Sequence, residues 1–247
     1  MIVKKVWIDA GHGGKDSGAT GNGLHEKDIV LAVSLAVKKR LEAEYGDVQV
    51  LLSRSSDVFL ELAERTHKAN AAGADILVSI HCNAGGGAGG FESYRYTSAS
   101  SGSVKLQNVM HIEVMNAIKS FGVIDRGQKA ANLHMVRESK MPAVLTENLF
   151  IDVAADAAKL KRQDVIDSIA IGHVNGIAKY LGLGKKEGAG TVEDKVHVVV
   201  NGKQIADGKL ENGVTCVPLR AIGEALGAKV SWDNKTKTAT VTTEVNT

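Results

Sequence analysis

The stretch Asp75-Ile76-Leu77-Val78-Ser79-Ile80-His81 indicates the fold of this chain, because an apolar run of strand length ends in a polar side chain. Two further runs have the same form. The run Val6–Ala10 leads into Gly11-His12-Gly13-Gly14, and the run Ala143–Thr146 leads into Glu147. Ligands of an open α/β sheet gather where the strands reach their carboxyl ends. Two histidines and a carboxylate at one such edge predict a catalytic zinc site.

Composition narrows the class of protein before any motif is considered. The 247 residues are 44% hydrophobic and 23% charged, which is typical of ordinary globular protein. The formal net charge of +2 is too small to indicate nucleic-acid binding. The two cysteines lie far apart and cannot form a disulfide framework. No apolar stretch approaches the roughly 20 residues that span a bilayer, so we expect no transmembrane segment.

Strand-like and helix-like patterns alternate through the first three quarters of the chain. Apolar residues recur at helical spacing in four segments, and short apolar or alternating runs lie between them. We predict helices near 26–45, 60–72, 104–121 and 164–181, and strands at 6–9, 47–53, 76–80, 91–96, 135–136 and 143–146. The fold class is therefore α/β, a twisted, largely parallel sheet with helices on both faces.

The last part of the chain has the pattern of a separate small module. Residues 182–194 begin with a glycine- and lysine-rich stretch that is a linker by composition. The Asn201-Gly202 pair predicts a hairpin turn, and a helix and a closing hairpin follow. We therefore expect a catalytic domain at 1–181, a linker at 182–194 and a small α+β module at 195–247. Trp232, in the closing hairpin, could stack on a sugar but is more often a core residue in such a place.

The metal ligands can be narrowed only in part from spacing. His12 lies on a glycine-flanked loop that allows a metal close to the backbone, and His81 directly follows a buried strand. The third ligand could be His25, Glu26 or Asp28. The competing interpretation is that His12 and His81 are unrelated polar residues at strand ends, because chain order does not prove convergence in space.

Glu147 is the candidate for acid–base chemistry. A carboxylate that ends an apolar run is partly buried, and burial raises its pKa towards the range of a general acid or base. The alternative is a strand-end residue that caps the following segment. The glycine-rich loop does not match a phosphate-binding motif. A Walker A motif would need glycine in place of Asp9 and serine or threonine in place of Asp16, and a dinucleotide-binding fingerprint would need glycine in place of Asp16.

Several ordered motifs resemble one family, the zinc-dependent N-acetylmuramoyl-L-alanine amidases of the amidase-3 type. The resemblance covers roughly residues 3–181. It is carried by IDAGHGGKDSGA at 8–19, LAERTHKAN at 62–70, ADILVSIHCNA at 74–84 and DRGQKAANLHMVRESKMPAVLTEN at 125–148. It implies that His12, Glu26 and His81 are the zinc ligands, that Glu147 is the catalytic carboxylate, and that peptidoglycan is the substrate.

Two features qualify this resemblance. After the catalytic glutamate the family usually has a glycine before the phenylalanine, whereas this chain has Asn148-Leu149-Phe150, which predicts a differently shaped cleft. The C-terminal module is similar to the small domain named after the copper amine oxidase N-terminus, through VVVNGKQI at 198–205 and CVPLRAIGEALGAKVSWDNKTKTATV at 216–241. No histidine cluster accompanies it, so a copper site is not expected. Wall binding is the expected role of such an appended module, and the alternative is an appendage that forms a homodimer or merely stabilises the protein.

The resemblance predicts a peptidoglycan hydrolase that cleaves the bond between N-acetylmuramic acid and L-alanine. The charged N-terminal residues do not resemble a signal peptide, so we expect cytoplasmic synthesis and holin-mediated release to the wall, as in a phage endolysin. The alternatives are a bacterial autolysin or sporulation amidase, a zinc-dependent deacetylase of wall sugars, and a non-catalytic wall-binding protein.

Overall fold

The computed structural model describes residues 3–186, 195–211 and 214–243 of the chain. The chain divides into two compact units, Met1–Glu187 and Gly188–Thr247. Each unit has its own sheet, and each is described by itself. No helix among the described residues is long and apolar enough to cross a membrane.

A six-stranded sheet forms the centre of the first unit. Its strands are β1 (Lys4–Ala10), β4 (Val48–Leu52), β5 (Ile76–Asn83), β6 (Phe91–Arg95), β7 (Asp125–Ala130) and β8 (Ala143–Phe150), while β2 (Thr20–Gly21) and β3 (Leu24–His25) pair separately as a short hairpin. The order across the sheet is β4-β1-β5-β8-β6-β7. The first four strands in that order are parallel, β6 is antiparallel to β8, and β7 is parallel to β6. The predicted largely parallel sheet is confirmed, with one antiparallel step.

Helices cover both faces of this sheet. They are α1 (Glu26–Glu44), α2 (Leu62–Ala72), α3 (Ser101–Ile118, continued by a 3-10 turn at Lys119–Phe121), α4 (His134–Arg137), α5 (Ala154–Leu160) and α6 (Gln163–Leu181). Buried residues of α1, α3 and α6 share the larger apolar cluster with one face of the sheet. Residues of α2 and α4 form the smaller cluster with the other face. Alternation along the strands therefore divides the side chains between two cores.

Local sequence explains where several helices begin and end. In α1, Val30, Val33, Val37 and Leu41 are fully buried at three- and four-residue spacing, which gives the helix one apolar face. The hydroxyl of Ser100 accepts a hydrogen bond from the Ser103 backbone N–H and caps the start of α3. The other helix boundaries lie within a few residues of the predicted ones.

The prediction of a strand at Met135–Val136 is wrong. Both residues lie in the short helix α4 and pack with Trp7, Leu77 and Leu145 in the smaller cluster. A two-residue apolar run carries no periodicity, so burial alone could not separate a strand from a helix. The edge strand β7 was not predicted because its residues, Asp-Arg-Gly-Gln-Lys-Ala, show no apolar alternation. Helix α5 was not predicted either.

The second unit has the predicted α+β composition. Strands β9 (Lys195–Val200), β10 (Lys203–Glu211) and β11 (Val214–Cys216) form an antiparallel sheet in the order β11-β10-β9. Helix α7 (Leu219–Ala225) and the hairpin of β12 (Lys229–Asp233) and β13 (Thr238–Thr242) complete it. The expectation that Trp232 is a core residue is wrong, because 55% of its surface is exposed. The hairpin is a two-stranded ribbon, and its tryptophan lies on a face that the described residues do not cover.

The described residues that follow α6 still belong to the first unit. The Gly46 N–H donates to the Gly184 carbonyl at 3.2 Å, and the Lys186 N–H donates to the Glu44 carbonyl at 2.9 Å. The first five residues of the predicted linker therefore lie beside the end of α1. The remainder, 187–194, lies outside the described residues.

Candidate metal centre and active site

His12 is presented by a tight loop directly after β1. Its backbone has φ 58°, and the following Gly13 and Gly14 also have positive φ values. A positive φ is unfavourable for a residue with a side chain, so this loop stores backbone strain. Gly11 is required for a different reason. A Cβ at Gly11 would collide with the ring of His81, so only glycine leaves room for that ring beside the loop.

Three side chains converge at this edge of the sheet. Nε2 of His12 lies 3.2 Å from Oε2 of Glu26, and Nδ1 of His81 lies 2.9 Å from Oε1 of Glu26. One ligand atom from each of the three lies within 4.8 Å of the others. Of the two other residues considered for the third position, His25 and Asp28 lie apart from this group and face each other at 3.8 Å on the surface. Within the described ranges, no other group of three such side chains has this spacing.

Glu26 is charged in this setting. The residue is the first of α1 and is almost fully buried. Burial alone would raise the pKa of its carboxyl, but hydrogen bonds with His12 and His81 outweigh that effect and hold the pKa well below its usual range. The Ala19 N–H also donates to Oε2 of Glu26. A carboxylate fixed in its charged form is ready to serve as a metal ligand.

Asp16 orients the first histidine. Its Oδ2 lies 2.9 Å from Nδ1 of His12, and its Oδ1 accepts a hydrogen bond from the Gly18 N–H. Nδ1 of His12 thus faces Asp16, while Nε2 faces Glu26. Histidines that bind metals usually donate their other ring N–H to such a partner. The sequence offered only the four-residue separation of His12 and Asp16 as a signal for this role.

Two buried arginines hold the backbone of the His12 loop. The guanidinium of Arg65 donates to the carbonyl oxygens of Ala10 and His12, both at 2.6 Å, and pairs with the Asp9 carboxylate at 2.9 Å. The guanidinium of Arg54 donates to the carbonyl oxygens of Ala10 and Gly11. We call these two side chains the arginine clamp. Sequence reasoning did not find it, because its partners are backbone groups more than 40 residues away.

Glu147 faces the metal-ligand group from the neighbouring strand. It lies opposite His81 in the register of β5 and β8, and opposite Glu92 in the register of β8 and β6. Burial raises the pKa of Glu147 to about 7, against the lowering effect of His81. Its Oε2 is buried without a hydrogen-bond partner among the described residues. A carboxyl of this kind can both accept and return a proton near neutrality.

An irregularity in β8 follows Glu147 directly. The register with β5 passes from His81 opposite Glu147 to Asn83 opposite Phe150, so two residues of β8 face one of β5. Leu149, inside this bulge, has φ 67° although it is fully buried. The amide of Asn148 donates to the His81 carbonyl at 2.9 Å. This hydrogen bond joins the strand of Glu147 to the strand of His81 at the bulge.

Comparison with known proteins agrees with this geometry. Residues 6–179 match the family described as N-acetylmuramoyl-L-alanine amidase. The endolysin of Bacillus phage SPP1 is 54% identical over 198 residues, which are 78% of this chain and 73% of the endolysin. The chain belongs to the N-acetylmuramoyl-L-alanine amidase family. The predicted resemblance is confirmed.

Two further relatives of this amidase come from bacteria. The sporulation-specific N-acetylmuramoyl-L-alanine amidase of Bacillus subtilis is 49% identical over 186 residues, 75% of this chain and 71% of that protein. The solved catalytic domain of the amidase CwlV from Bacillus (Paenibacillus) polymyxa is 39% identical. It superimposes with a TM-score of 0.69, covering 74% of this chain and 100% of the domain. The α/β architecture of the first unit is thus that of solved amidases.

Residues 199–247 match a second family, described as the copper amine oxidase N-terminal domain. In the described part of this unit, Nδ1 of His197 lies 3.0 Å from Oδ1 of Asp207. No group of three metal-binding side chains was found among the described residues there. The predicted resemblance of this unit to that domain is confirmed.

Another set of side chains in the amidase has the order of a serine hydrolase triad. The Ser93 hydroxyl lies 2.9 Å from Nδ1 of His111, and Nε2 of His111 lies 2.9 Å from Asp125. Ser93, however, is completely buried between the sheet and α3. A substrate cannot reach its oxygen, so this triad links β6, α3 and β7 and does not catalyse acyl transfer.

Proposed function

We propose that this amidase cleaves the amide between the lactyl group of N-acetylmuramic acid and L-alanine with a zinc ion held by His12, Glu26 and His81. Glu147 is the general base and acid of the same reaction. The observation that carries the proposal is the meeting of the three ligand atoms within 4.8 Å, with Glu147 in register beside His81. Peptidoglycan is the substrate, in line with the family.

The donor set fits zinc. Two imidazoles and one carboxylate are a frequent set in catalytic zinc sites, which keep a further position for water. The side chains of His12 and His81 retain 24% and 16% of their exposure, so the group is open to solvent on one side. When bound there, zinc would supply a Lewis acid and a water with a pKa near 7.

The remaining chemistry belongs to Glu147. Its carboxylate takes a proton from the attacking water as the new carbon–oxygen bond forms. The same carboxyl gives that proton to the alanine nitrogen as the carbon–nitrogen bond breaks, so the products are a lactyl carboxylic acid and a free peptide amine. A pKa of about 7 suits both transfers. The unpartnered Oε2 provides a site for the proton.

Product analysis tests the reaction and separates it from its closest competitor. Digested peptidoglycan should gain one new alanine amino terminus per cut, and chelation of the metal should stop the release. A zinc-dependent sugar deacetylase would instead release acetate and leave the stem peptides attached. A non-catalytic wall-binding protein would release neither product. Acetate release without new alanine amines would overturn the proposal.

We further propose that the chain acts as a phage endolysin on the bacterial cell wall, after cytoplasmic synthesis and holin-mediated release. The endolysin of phage SPP1 at 54% identity supports this role, and the sporulation amidase at 49% identity supports the bacterial alternative. Expression of the enzyme in bacteria with an intact wall tests the proposed release route. Lysis should begin only after a holin or chloroform opens the membrane. Enzyme in the medium of intact cells would contradict this route.

For the C-terminal unit we propose wall binding through Trp232. An exposed indole offers an apolar face on which a sugar ring can stack, and 55% of Trp232 is exposed. A homodimer is the second candidate role. Leu219, Leu226 and Val199 of the same unit are also about half exposed or more, and such apolar residues favour contact with a second copy. Sedimentation with walls and measurement of the mass in solution distinguish the two roles.

A further inference from the structure

A buried acid lies beside Glu147 and holds two basic side chains above it. Glu92 is 2% exposed, whereas the side chains of Arg126 and Lys129 are 30% and 36% exposed. Arg126 Nε lies 2.8 Å from Glu92 Oε2, and the Lys129 ammonium contacts the same oxygen. Asn83 and Tyr94 donate to the other oxygen. We call Arg126 and Lys129 the cation pair.

The charges of this group do not cancel. Two cations share one anion, so one positive charge remains, and it lies on the more exposed side. The Arg126 guanidinium also lies over the Phe150 ring at 4.5 Å and donates to the Gly89 carbonyl, which fixes its plane. The Lys129 ammonium has no other acceptor among the described residues. Glu92 and the cation pair together therefore place a net positive charge near Glu147.

Sheet register gives the position of the cation pair relative to the reaction. His81, Glu147 and Glu92 lie opposite one another on three neighbouring strands, β5, β8 and β6. Arg126 and Lys129 belong to the next strand, β7. The order across the sheet is therefore metal ligand, proton donor, buried acid and cation pair. Since strands lie about 4.8 Å apart, β7 is roughly 10 Å beyond the strand of Glu147.

The direction of the reaction assigns this side to the peptide. In the proposed cleavage the scissile carbonyl would lie beside His12, Glu26 and His81, and Glu147 would reach the alanine nitrogen that leaves. The peptide therefore extends from the metal past Glu147 towards the cation pair. One extended residue advances the chain by about 3.5 Å. Long arginine and lysine side chains span the rest, so a charged group on the residue after alanine comes within reach.

From this geometry we infer that the cation pair is a subsite for the free carboxylate of the second stem-peptide residue. Peptidoglycan stems carry this carboxylate when the second residue is D-glutamate and lose it when the residue is amidated to D-isoglutamine. Arg126 and Lys129 are then specificity-determining residues that favour the unamidated stem. The inference rests on the proposed amide cleavage.

Two soluble muropeptides that differ only in this group test the inference. The wild-type enzyme should cleave the D-glutamate form with a kcat/KM about fivefold higher than the D-isoglutamine form, with the difference mainly in KM. That ratio corresponds to about 1 kcal/mol, the upper end for a solvent-exposed ion pair. Lys129→Gln should reduce the ratio below twofold, because the KM for the D-glutamate form rises. Lys129→Arg should restore the preference.

Lys179→Gln is the matched control, because this exposed lysine of α6 pairs with Glu113 of α3. It should keep the fivefold ratio. Equal kcat/KM of the wild-type enzyme for the two muropeptides would overturn the subsite, and this comparison does not depend on any variant folding. Preservation of the ratio in folded Lys129→Gln would overturn it as well. Absence of alanine amine from both substrates would instead be a failure of the proposed function.

Discussion

Leu149 adopts a backbone conformation that a leucine avoids. Its φ is 67°, and its side chain, two residues after Glu147 in β8, is fully buried in the larger apolar cluster. The resembled family usually has glycine at this point, which can adopt positive φ without a steric penalty. This chain therefore combines an unfavourable backbone with a favourable burial. The two contributions can be separated by substitution.

Leu149→Ala should destabilise the amidase by about 3 kcal/mol, because it leaves a cavity in a packed core. Leu149→Gly should be more stable than Leu149→Ala by about 1 kcal/mol, since glycine relieves the positive φ. Urea unfolding of both variants measures the difference. Leu41, fully buried in α1, is the control position. There the alanine variant should have a free energy of unfolding about 1 kcal/mol higher than that of the glycine variant. The same order of alanine and glycine at both positions would contradict this account of Leu149.

His173 is a second residue whose surroundings determine its charge. It is completely buried, its Nδ1 donates to the Ile169 carbonyl, and its Nε2 accepts from the Thr146 hydroxyl. Burial lowers its pKa to about 4. The folded state therefore keeps the ring neutral at a pH where the unfolded chain, with a pKa near 6.5, binds a proton.

The sign of the pH effect follows from that difference. Between pH 6.5 and 4 the unfolded state binds more protons, so this histidine lowers the free energy of unfolding as the pH falls. The stability advantage of wild type over His173→Asn should shrink by roughly 2–3 kcal/mol from pH 7 to pH 4. Urea unfolding at the two pH values measures it. Exposed His67→Asn should show no such change, and a constant advantage over His173→Asn would refute the buried neutral ring.

At the scale of elements, the loop after β1 depends on the arginine clamp. The loop carries a histidine with positive φ, and four carbonyl contacts from Arg54 and Arg65 hold it against α2 and the end of β4. A lysine has one ammonium and cannot reach several carbonyls in fixed directions. The clamp therefore fixes the backbone that carries His12, and both of its side chains are buried.

Arg65→Lys should weaken zinc binding about 10- to 100-fold, the range seen when outer contacts of a metal ligand are lost. Competition with a chromophoric chelator measures the affinity, and the visible spectrum of the cobalt-substituted protein reports the geometry around the ion. The exposed Arg162→Lys is the control and should change neither. Unaltered affinity and spectrum in a folded Arg65→Lys protein would remove the clamp from the metal site.

The elements also show what sequence could and could not predict. Strands β5 and β8 were predictable from uninterrupted apolar runs, and so was the placement of His81 and Glu147 at one edge. Strand β7 was not, since its polar residues pair through backbone hydrogen bonds that leave no pattern. Glu26 was one of three candidates by spacing and was singled out only by resemblance. Asp16, Arg54 and Arg65 were missed because their contacts depend on the folded chain.

At the scale of the whole molecule, the two units have different proposed tasks. The first contains the metal-ligand group and Glu147, and the second exposes Trp232. If the second unit binds the wall, it raises the local concentration of enzyme there and does not change the rate of the cleavage step.

In the full-length chain, Trp232→Ala should reduce sedimentation with purified walls about tenfold, the loss of roughly one aromatic stacking contact. Cleavage of a soluble muropeptide should stay within about twofold of wild type. Val241→Ala is the control, because Val241 is exposed in the same hairpin as Trp232. Undiminished wall sedimentation by Trp232→Ala, together with a dimeric mass in solution, would favour the homodimer role.

We propose above all that His12, Glu26 and His81 hold a zinc ion and that the Glu147 carboxyl transfers the proton. Zinc content and alanine amine release, measured together on Glu147→Gln, test it most directly. We expect one zinc per chain in this variant, as in wild type, with amine release lowered about 10²- to 10⁴-fold. Near wild-type release by this variant, or a wild-type protein that is fully active without bound metal, would contradict it.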